Sequence, residues 1–328
     1  MRALLCRGFG TIDDLVIGDV PSPTAPGPGE VLVEVAAAGV NFADILMVTG
    51  RYQEKPPFPF TPGLEAAGVV RACGSTVSRV KPGDRVIALV DRGAFAAALL
   101  AQESDVFVIP ERMDFATAAG FAIAYGTAHG ALRWRADLQP GEVLLVHGAA
   151  GGVGLTAVEV GKAMGATVIA TAGDADKLAI ARAHGADHLI DYRQEDIRDR
   201  VKTICRGGGA DVVFDPVGGA VFDASLRCVN WGARLVIVGF AGGSVPQIPA
   251  NILLVKNIAA LGFYWGSYRR QRPELVAEQT RELFGWWQEG RLQPRISERF
   301  DLADGGKALA LLRDRKSTGK VVLMLDGR

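Results

Sequence analysis

The segment from residue 143 to residue 164 restricts this chain most. Val143-Leu144-Leu145-Val146 is a short apolar run, and His147-Gly148-Ala149-Ala150-Gly151-Gly152-Val153-Gly154 follows it directly. A helix-compatible stretch then continues over 153–164. Strand, glycine-dense turn and helix in that order form the unit with which proteins hold a dinucleotide pyrophosphate. The glycines remove Cβ atoms where backbone must approach phosphate, and the helix start aims free N–H groups at the negative charge. Taken alone, such a turn is as often structural. The flanks add weight, because strand-like runs recur at 167–171, 212–214 and 235–238, with helical stretches at 177–183, 197–205 and 222–229 between them. That alternation predicts right-handed βαβ crossovers and a parallel sheet covered on both faces. Gly161 and Gly165 fall where that helix and sheet can pack closely.

Upstream the texture changes. Residues 1–6, 15–20, 31–37, 66–72 and 85–90 read as strands with no helix between them. They are separated by Pro26-Gly27-Pro28-Gly29, Pro62-Gly63 and Lys81-Pro82-Gly83-Asp84. Pro followed by Gly suits type II turns, since Pro presets φ and Gly accepts φ > 0. A β-barrel-like domain is expected there. A helix over 273–289 and strands over 295–300 and 320–325 bring the chain back to it. The expected division is therefore 1–120, 121–265 for the dinucleotide domain, and 266–328 returning to the first.

The 328 residues carry a formal net charge of zero, so bulk electrostatics attract no nucleic acid. Residues 1–8 lack the apolar core of a signal peptide, and no run is apolar and long enough for a bilayer. Cys6, Cys73, Cys205 and Cys228 form no CxxC pair and no zinc spacing, which suggests reduced thiols in a cytoplasmic protein. His184 and His188 are spaced i, i+4, but Gly185 between them marks a helix end rather than a ligand pair.

Further segments carry a family resemblance. They are Gly39-Val40-Asn41-Phe42-Ala43-Asp44, Gly50-Arg51-Tyr52, Pro62-Gly63-Leu64-Glu65-Ala66-Ala67-Gly68 and Pro82-Gly83-Asp84-Arg85-Val86. In the second half they are the glycine turn, Asp215-Pro216-Val217-Gly218-Gly219 and Ser317-Thr318-Gly319-Lys320-Val321-Val322. Together they make the chain resemble the medium-chain dehydrogenase/reductase superfamily, and within it the zinc-free NADPH:quinone oxidoreductases of the zeta-crystallin type. The resemblance implies an α/β protein with a GroES-like β-barrel catalytic domain, a Rossmann domain with a doubly wound parallel sheet, and a reacting centre between them. It also implies a homodimer paired near residues 258–264. Zinc alcohol dehydrogenases of the superfamily carry Cys where this chain has Asn41 and His where it has Leu64. Leu cannot ligate a metal and Asn is a poor zinc ligand, so no metal is expected.

The resemblance also implies a site. Cofactor contacts are expected from Asn41, Thr127, Ala150, Gly151, Gly152, Val153, Gly173, Lys177, Tyr192, Val217, Phe240, Ala241, Phe263, Tyr264, Trp265 and Lys320. The superfamily's ribose-binding acid would stand at Ala172, which bears no carboxylate. Lys177 and Tyr192 match positions that contact a 2′-phosphate, and Gly173 one against the ribose, so NADPH is favoured. Asp174 speaks for NAD, because it is a carboxylate roughly 20 residues past the motif. Lys177 also reads simply as a solvated lysine opening a helix. Asn41 and Tyr52 are the candidate catalytic groups, Tyr52 as a neutral donor to a developing oxyanion. The alternatives are a turn residue and a wall aromatic. Trp286-Trp287 read as helix packing. The expected reaction is hydride transfer from NADPH to a quinone. Reduction of the C=C bond of an unsaturated carbonyl makes the same electronic demand and stays open. Some relatives are structural or RNA-binding proteins, against which the neutral charge and intact glycine turn argue.

Overall fold

Along Glu30–Val40 the side chains of Val31, Val33, Val35 and Ala37 are buried, while the residues between them are half-exposed. That period of two makes a strand with one face on a core. The computed structural model describes residues 1–325. Its strands in chain order are β1 (Arg2–Leu5), β2 (Val16–Asp19), β3 (Glu30–Val40), β4 (Glu65–Cys73), β5 (Arg85–Leu89), β6 (Ala98–Gln102) and β7 (Val106–Val108). They continue with β8 (Val143–Val146), β9 (Thr167–Ala172), β10 (His188–Asp191), β11 (Ala210–Asp215), β12 (Val229–Ile237), β13 (Ala259–Gly262), β14 (Ile296–Asp301) and β15 (Lys320–Met324). The chain divides into two units. The first comprises Met1–Ile123, Arg272–Phe284 and the residues from 294 onward; the second comprises Ala124–Gln271 and Gly285–Gln293.

In the first unit a seven-stranded sheet runs β14-β15-β3-β4-β5-β7, with β6 also paired to β3. The pairs are antiparallel except β14 with β15. Its core gathers Val31, Val33, Val35, Ile45, Met47, Val86, Phe95 and Leu323. The apolar run Phe42–Val48 forms a short helix that the strand-rich reading of this half did not include.

The second unit holds a six-stranded parallel sheet in the order β10-β9-β8-β11-β12-β13. Numbered within the unit this is 3-2-1-4-5-6, the doubly wound order whose switch point lies between its first and fourth strands. The strands are continuous apolar runs because both faces are covered: Leu144, Leu145, Val146, Val168, Ile169, Val213 and Phe214 are all fully buried. The helix expected over 222–229 is shorter, Ala220–Ser225, because Val229 already begins β12. Between Ala210/Val229 and Val212/Arg234 the pairing slips, so Asn230-Trp231-Gly232-Ala233 bulge out of the ladder. That bulge hid the first half of β12 from its sequence pattern. No helix among the described residues is long and apolar enough to cross a membrane.

Candidate active site

The glycine turn leaves β8 at the switch point. His147 N–H donates to Phe214 O (3.1 Å) and Ala149 N–H to Thr171 O (3.0 Å), tying the turn to the strands on either side. Gly148 takes φ +58°, a left-handed conformation that favours glycine, and Gly151 caps the helix Gly152–Ala163. A side chain at Gly154 would overlap the Gly148 carbonyl, so this glycine serves the turn's own closure. The His147 ring is fully buried. Its Nδ1 is 3.0 Å from Thr171 Oγ1 and its Nε2 2.7 Å from Ser225 Oγ. Ser225 Oγ also donates to Val221 O (2.8 Å). Burial holds the imidazole's pKa below the usual value, which favours the neutral ring between its two hydroxyl partners.

The loop after β11 faces this turn. Asp215 Oδ1 accepts the N–H groups of Val217 (2.7 Å) and Gly218 (2.9 Å). Val217 Cγ2 comes within 3.2 Å of the point where a Gly148 side chain would begin, so the two loops touch. Phe240 rests on Gly218 and is partly exposed. Ala150, Gly151, Gly152, Val153, Val217, Phe240 and Ala241 therefore all stand around the switch point. His147 and Asp215 position the two loops. Sequence reading passed over both roles, although His147 opens the glycine motif and Asp215 opens the second loop.

One strand over, β9 ends at the buried Ala172. Asp174 caps the helix Ala175–Ala183, with Oδ1 accepting Lys177 N–H at 2.8 Å. Its Oδ2 lies 3.3 Å from Lys177 Nζ. The capping N–H, then the Lys177 ammonium and Arg193, hold this carboxyl below the usual range. Tyr192 Oη stands 2.7 Å from the point where a Gly173 side chain would start, and Arg193 Nε 3.1 Å from it. Gly173, Lys177 and Tyr192 are thus brought together, and Arg193 joins them unannounced by the sequence.

Thr127 lies in the helix Ala122–Gly130 and is almost buried. That helix is anchored by Thr156 Oγ1–H donating to Ala124 O (3.0 Å) and by the Tyr125 hydroxyl donating to Glu159. Glu159 also accepts Gln293 N–H and contacts His184 Nδ1. Burial and the Glu159 charge push the Tyr125 phenol well above its usual pKa. Trp265 and Phe263 are both buried. Trp265 packs against Gly126, and Phe263 against Gly130, Trp134 and Tyr268. Of the three expected contacts Phe263, Tyr264 and Trp265, Tyr264 is the most exposed, at 37%. Trp286 packs on His129.

In the first unit Asn41 caps the helix Phe42–Val48 and is buried, its backbone N–H donating to Asp44 Oδ2 (2.7 Å). Its Nδ2 donates to Glu65 Oε1 (3.0 Å) and Gly39 O (3.3 Å). Lys320, expected at the cofactor, has its ammonium inside this unit, donating to Asn41 Oδ1 (2.7 Å), Val40 O (3.0 Å) and Glu65 Oε1 (2.9 Å). Those three bonds use all three of its hydrogens. Glu65, fully buried, also accepts Ile123 N–H at 2.9 Å. A divalent metal does not fit this donor set. Leu64 offers no ligand atom, and the Asn41 oxygen already faces an ammonium that would repel a second cation. Among the described residues no group of three or more His, Cys, Asp and Glu side chains is placed to hold a metal ion. Tyr52 follows the same helix, its N–H donating to Leu46 O (3.0 Å), and packs partly buried on the first unit's core.

Residues 27–132 match the alcohol dehydrogenase GroES-like domain family, and residues 152–281 the zinc-binding dehydrogenase family. Quinone oxidoreductase-like protein 2 of Bos taurus is 42% identical over 325 residues, covering 99% of this chain and 92% of that protein. The crystal structure of Escherichia coli quinone oxidoreductase complexed with NADPH superposes with a TM-score of 0.93 at 31% identity, over 99% of this chain and 100% of that one. The CurK enoyl reductase structure gives 0.87 at 28% identity, over 99% of both chains.

Proposed function

This chain belongs to the quinone oxidoreductase family of the medium-chain dehydrogenase/reductase superfamily, and from that membership we propose that it reduces a quinone with hydride from NADPH. The observation that carries the reading is the furnished carboxyl edge of the six-stranded sheet. It combines a glycine turn fixed to both neighbouring strands with the Tyr192 phenol and the Lys177 ammonium beside Gly173, where a phosphomonoester would sit. The residues present fit the dinucleotide. Gly151, Gly152 and Val153 would offer backbone N–H groups to the pyrophosphate. Lys177 and Tyr192 would hold the 2′-phosphate beside Gly173, and Thr127 the carboxamide. When bound, NADPH supplies the hydride from C4 of its nicotinamide. Tyr52 donates a hydrogen bond to the acceptor oxygen as negative charge develops there. Asn41 keeps a structural bond to Lys320.

The reaction proceeds without zinc, because Leu64 and the committed Asn41 amide supply no ligand set. The protein works as a homodimer in the cytoplasm, a setting in which its four cysteines stay free thiols. Leu254 and Val255, each 77% exposed on the helix Ala250–Lys256 preceding edge strand β13, support pairing at that edge. A second reading, reduction of the C=C bond of an unsaturated carbonyl, is favoured by the likeness to an enoyl reductase. The deciding experiment follows NADPH oxidation by the purified protein at fixed cofactor against a panel of quinones, enones and acrylates. Turnover of quinones above the others is expected. Turnover confined to C=C acceptors selects the second reading, and no turnover of any acceptor overturns both.

A further inference from the structure

Lys177 alone cannot select for a phosphate here, because Asp174 cancels its charge. The Asp174 carboxylate lies 3.3 Å from Lys177 Nζ while it caps the helix Ala175–Ala183. Lysine plus aspartate sums to zero, and a phosphomonoester carrying close to two negative charges near pH 7 would meet no net attraction from that pair. The turn after β10 changes the balance. Tyr192 N–H donates to Ala172 O (3.2 Å), continuing the parallel ladder at the end of β9, and Arg193 N–H donates to Asp191 Oδ1 (3.0 Å). This sets the Tyr192 hydroxyl and the Arg193 guanidinium side by side over Gly173, at 2.7 and 3.1 Å from where its side chain would begin. Any larger residue at 173 would displace both groups. Arg193 is exposed, so its planar, always-charged fork is free to turn toward a ligand's oxygens.

We propose that Arg193 is the specificity-determining cation for the cofactor's 2′-phosphate, with Lys177 held in place by Asp174 as its partner. The inference rests on the reading of NADPH as cofactor and assigns a role to a residue that reading did not contain. The side chains of Lys177, Asp174 and Arg193 sum to +1, with the Asp191 carboxylate on the Arg193 backbone N–H beside them, and the Tyr192 hydroxyl adds a neutral donor. Asp174 then counts as a brace for Lys177 and for the helix start rather than as a ribose-binding acid. The carboxylate that speaks for NAD in the sequence is the one that the helix cap uses in the structure.

The test is titration calorimetry with NADPH, NADH and adenosine 2′,5′-bisphosphate, on the parent, Arg193→Ala, Arg193→Lys and Lys177→Ala. Arg193→Ala is expected to weaken NADPH and the bisphosphate by about ten- to a hundredfold and to leave NADH within about twofold. Arg193→Lys should fall between, since it keeps the charge and loses the fork. Parent-like NADPH binding by Arg193→Ala, beside a parent that prefers NADPH, overturns the role of Arg193 and leaves the cofactor reading standing. A parent that binds NADH as tightly as NADPH overturns both. Equal loss of NADH and NADPH in Arg193→Ala makes the residue a fold element and overturns the proposal.

Discussion

Replacing Lys320 by methionine keeps the stem and removes the ammonium. Three bonds disappear at once, to Asn41 Oδ1, Val40 O and Glu65 Oε1. The side chains of Lys320 and Glu65 are 7% and 0% exposed, so Glu65 cannot turn to water. Breaking one partner out of a buried ion pair costs about 3–5 kcal/mol. Glu65 keeps two other donors, Asn41 Nδ2 and Ile123 N–H, which places the loss near the lower end of that range, about 3 kcal/mol. Asn41 Oδ1 and Val40 O are left to find new donors, and a total stability of roughly 5–15 kcal/mol makes such a loss plain. Urea denaturation of parent and Lys320→Met measures it, and the double variant Lys320→Met/Glu65→Gln should recover part of it, because the stranded charge is gone. A loss below about 1 kcal/mol, the range of an exposed pair, would refute the reasoning.

The Asp44 carboxyl is fully buried, and burial pushes it up to about 7 against the pull of Asn41 N–H and the Lys320 charge. A carboxyl raised in the fold from about 3.9 contributes stability that is complete below that value and is lost as pH rises through 7, up to about 4 kcal/mol. Asp44→Asn should therefore gain on the parent between pH 5 and pH 8.5 in urea midpoints; a pH-independent difference between the two proteins would sink this account. Tyr52→Phe should lower kcat by about ten- to a few hundredfold with little change in NADPH affinity, as expected for loss of a single donor to the oxyanion. Measured on one quinone and one enone, an unchanged kcat for both reduces Tyr52 to a wall residue. Elemental analysis should find no stoichiometric zinc, and prolonged chelation should leave turnover intact; a zinc required for activity would reverse the assignment of Asn41 and Leu64.

β8, β9, β11 and the second half of β12 were legible because strands covered on both faces read as bare apolar runs, whereas β10, with His188 and Asp191 at its ends, was not. The glycine turn was legible for the same local reason. What stayed hidden depends on distance along the chain or on polar texture. Nothing local pairs Lys320 with Glu65 or Asn41, which are 255 and 279 residues away. Arg193 looked like any loop arginine until β10 placed it over Gly173. The first half of β12 contains Asn230 and Gly232, the latter at φ +79°, and reads as a turn. Phe263 and Trp265 showed aromatic character but not direction, and only packing reveals that their rings face helix Ala122–Gly130 rather than the surface.

The antiparallel ladder of β15 on β3 joins residues such as Val321 and Val40. Chain synthesis therefore leaves the 37–40 end of β3 with a raw edge and Glu65 without its cation while the whole parallel sheet is being made. At about 5–20 residues per second the interval is on the order of tens of seconds. During it the second unit's 124–271 segment emerges uninterrupted and has all six of its strands. The cofactor-type fold is thereby able to form first, and the seven-stranded sheet closes only when its last strand leaves the ribosome. Nascent chains stalled before residue 320 should be protease-resistant in the parallel unit and open in the other.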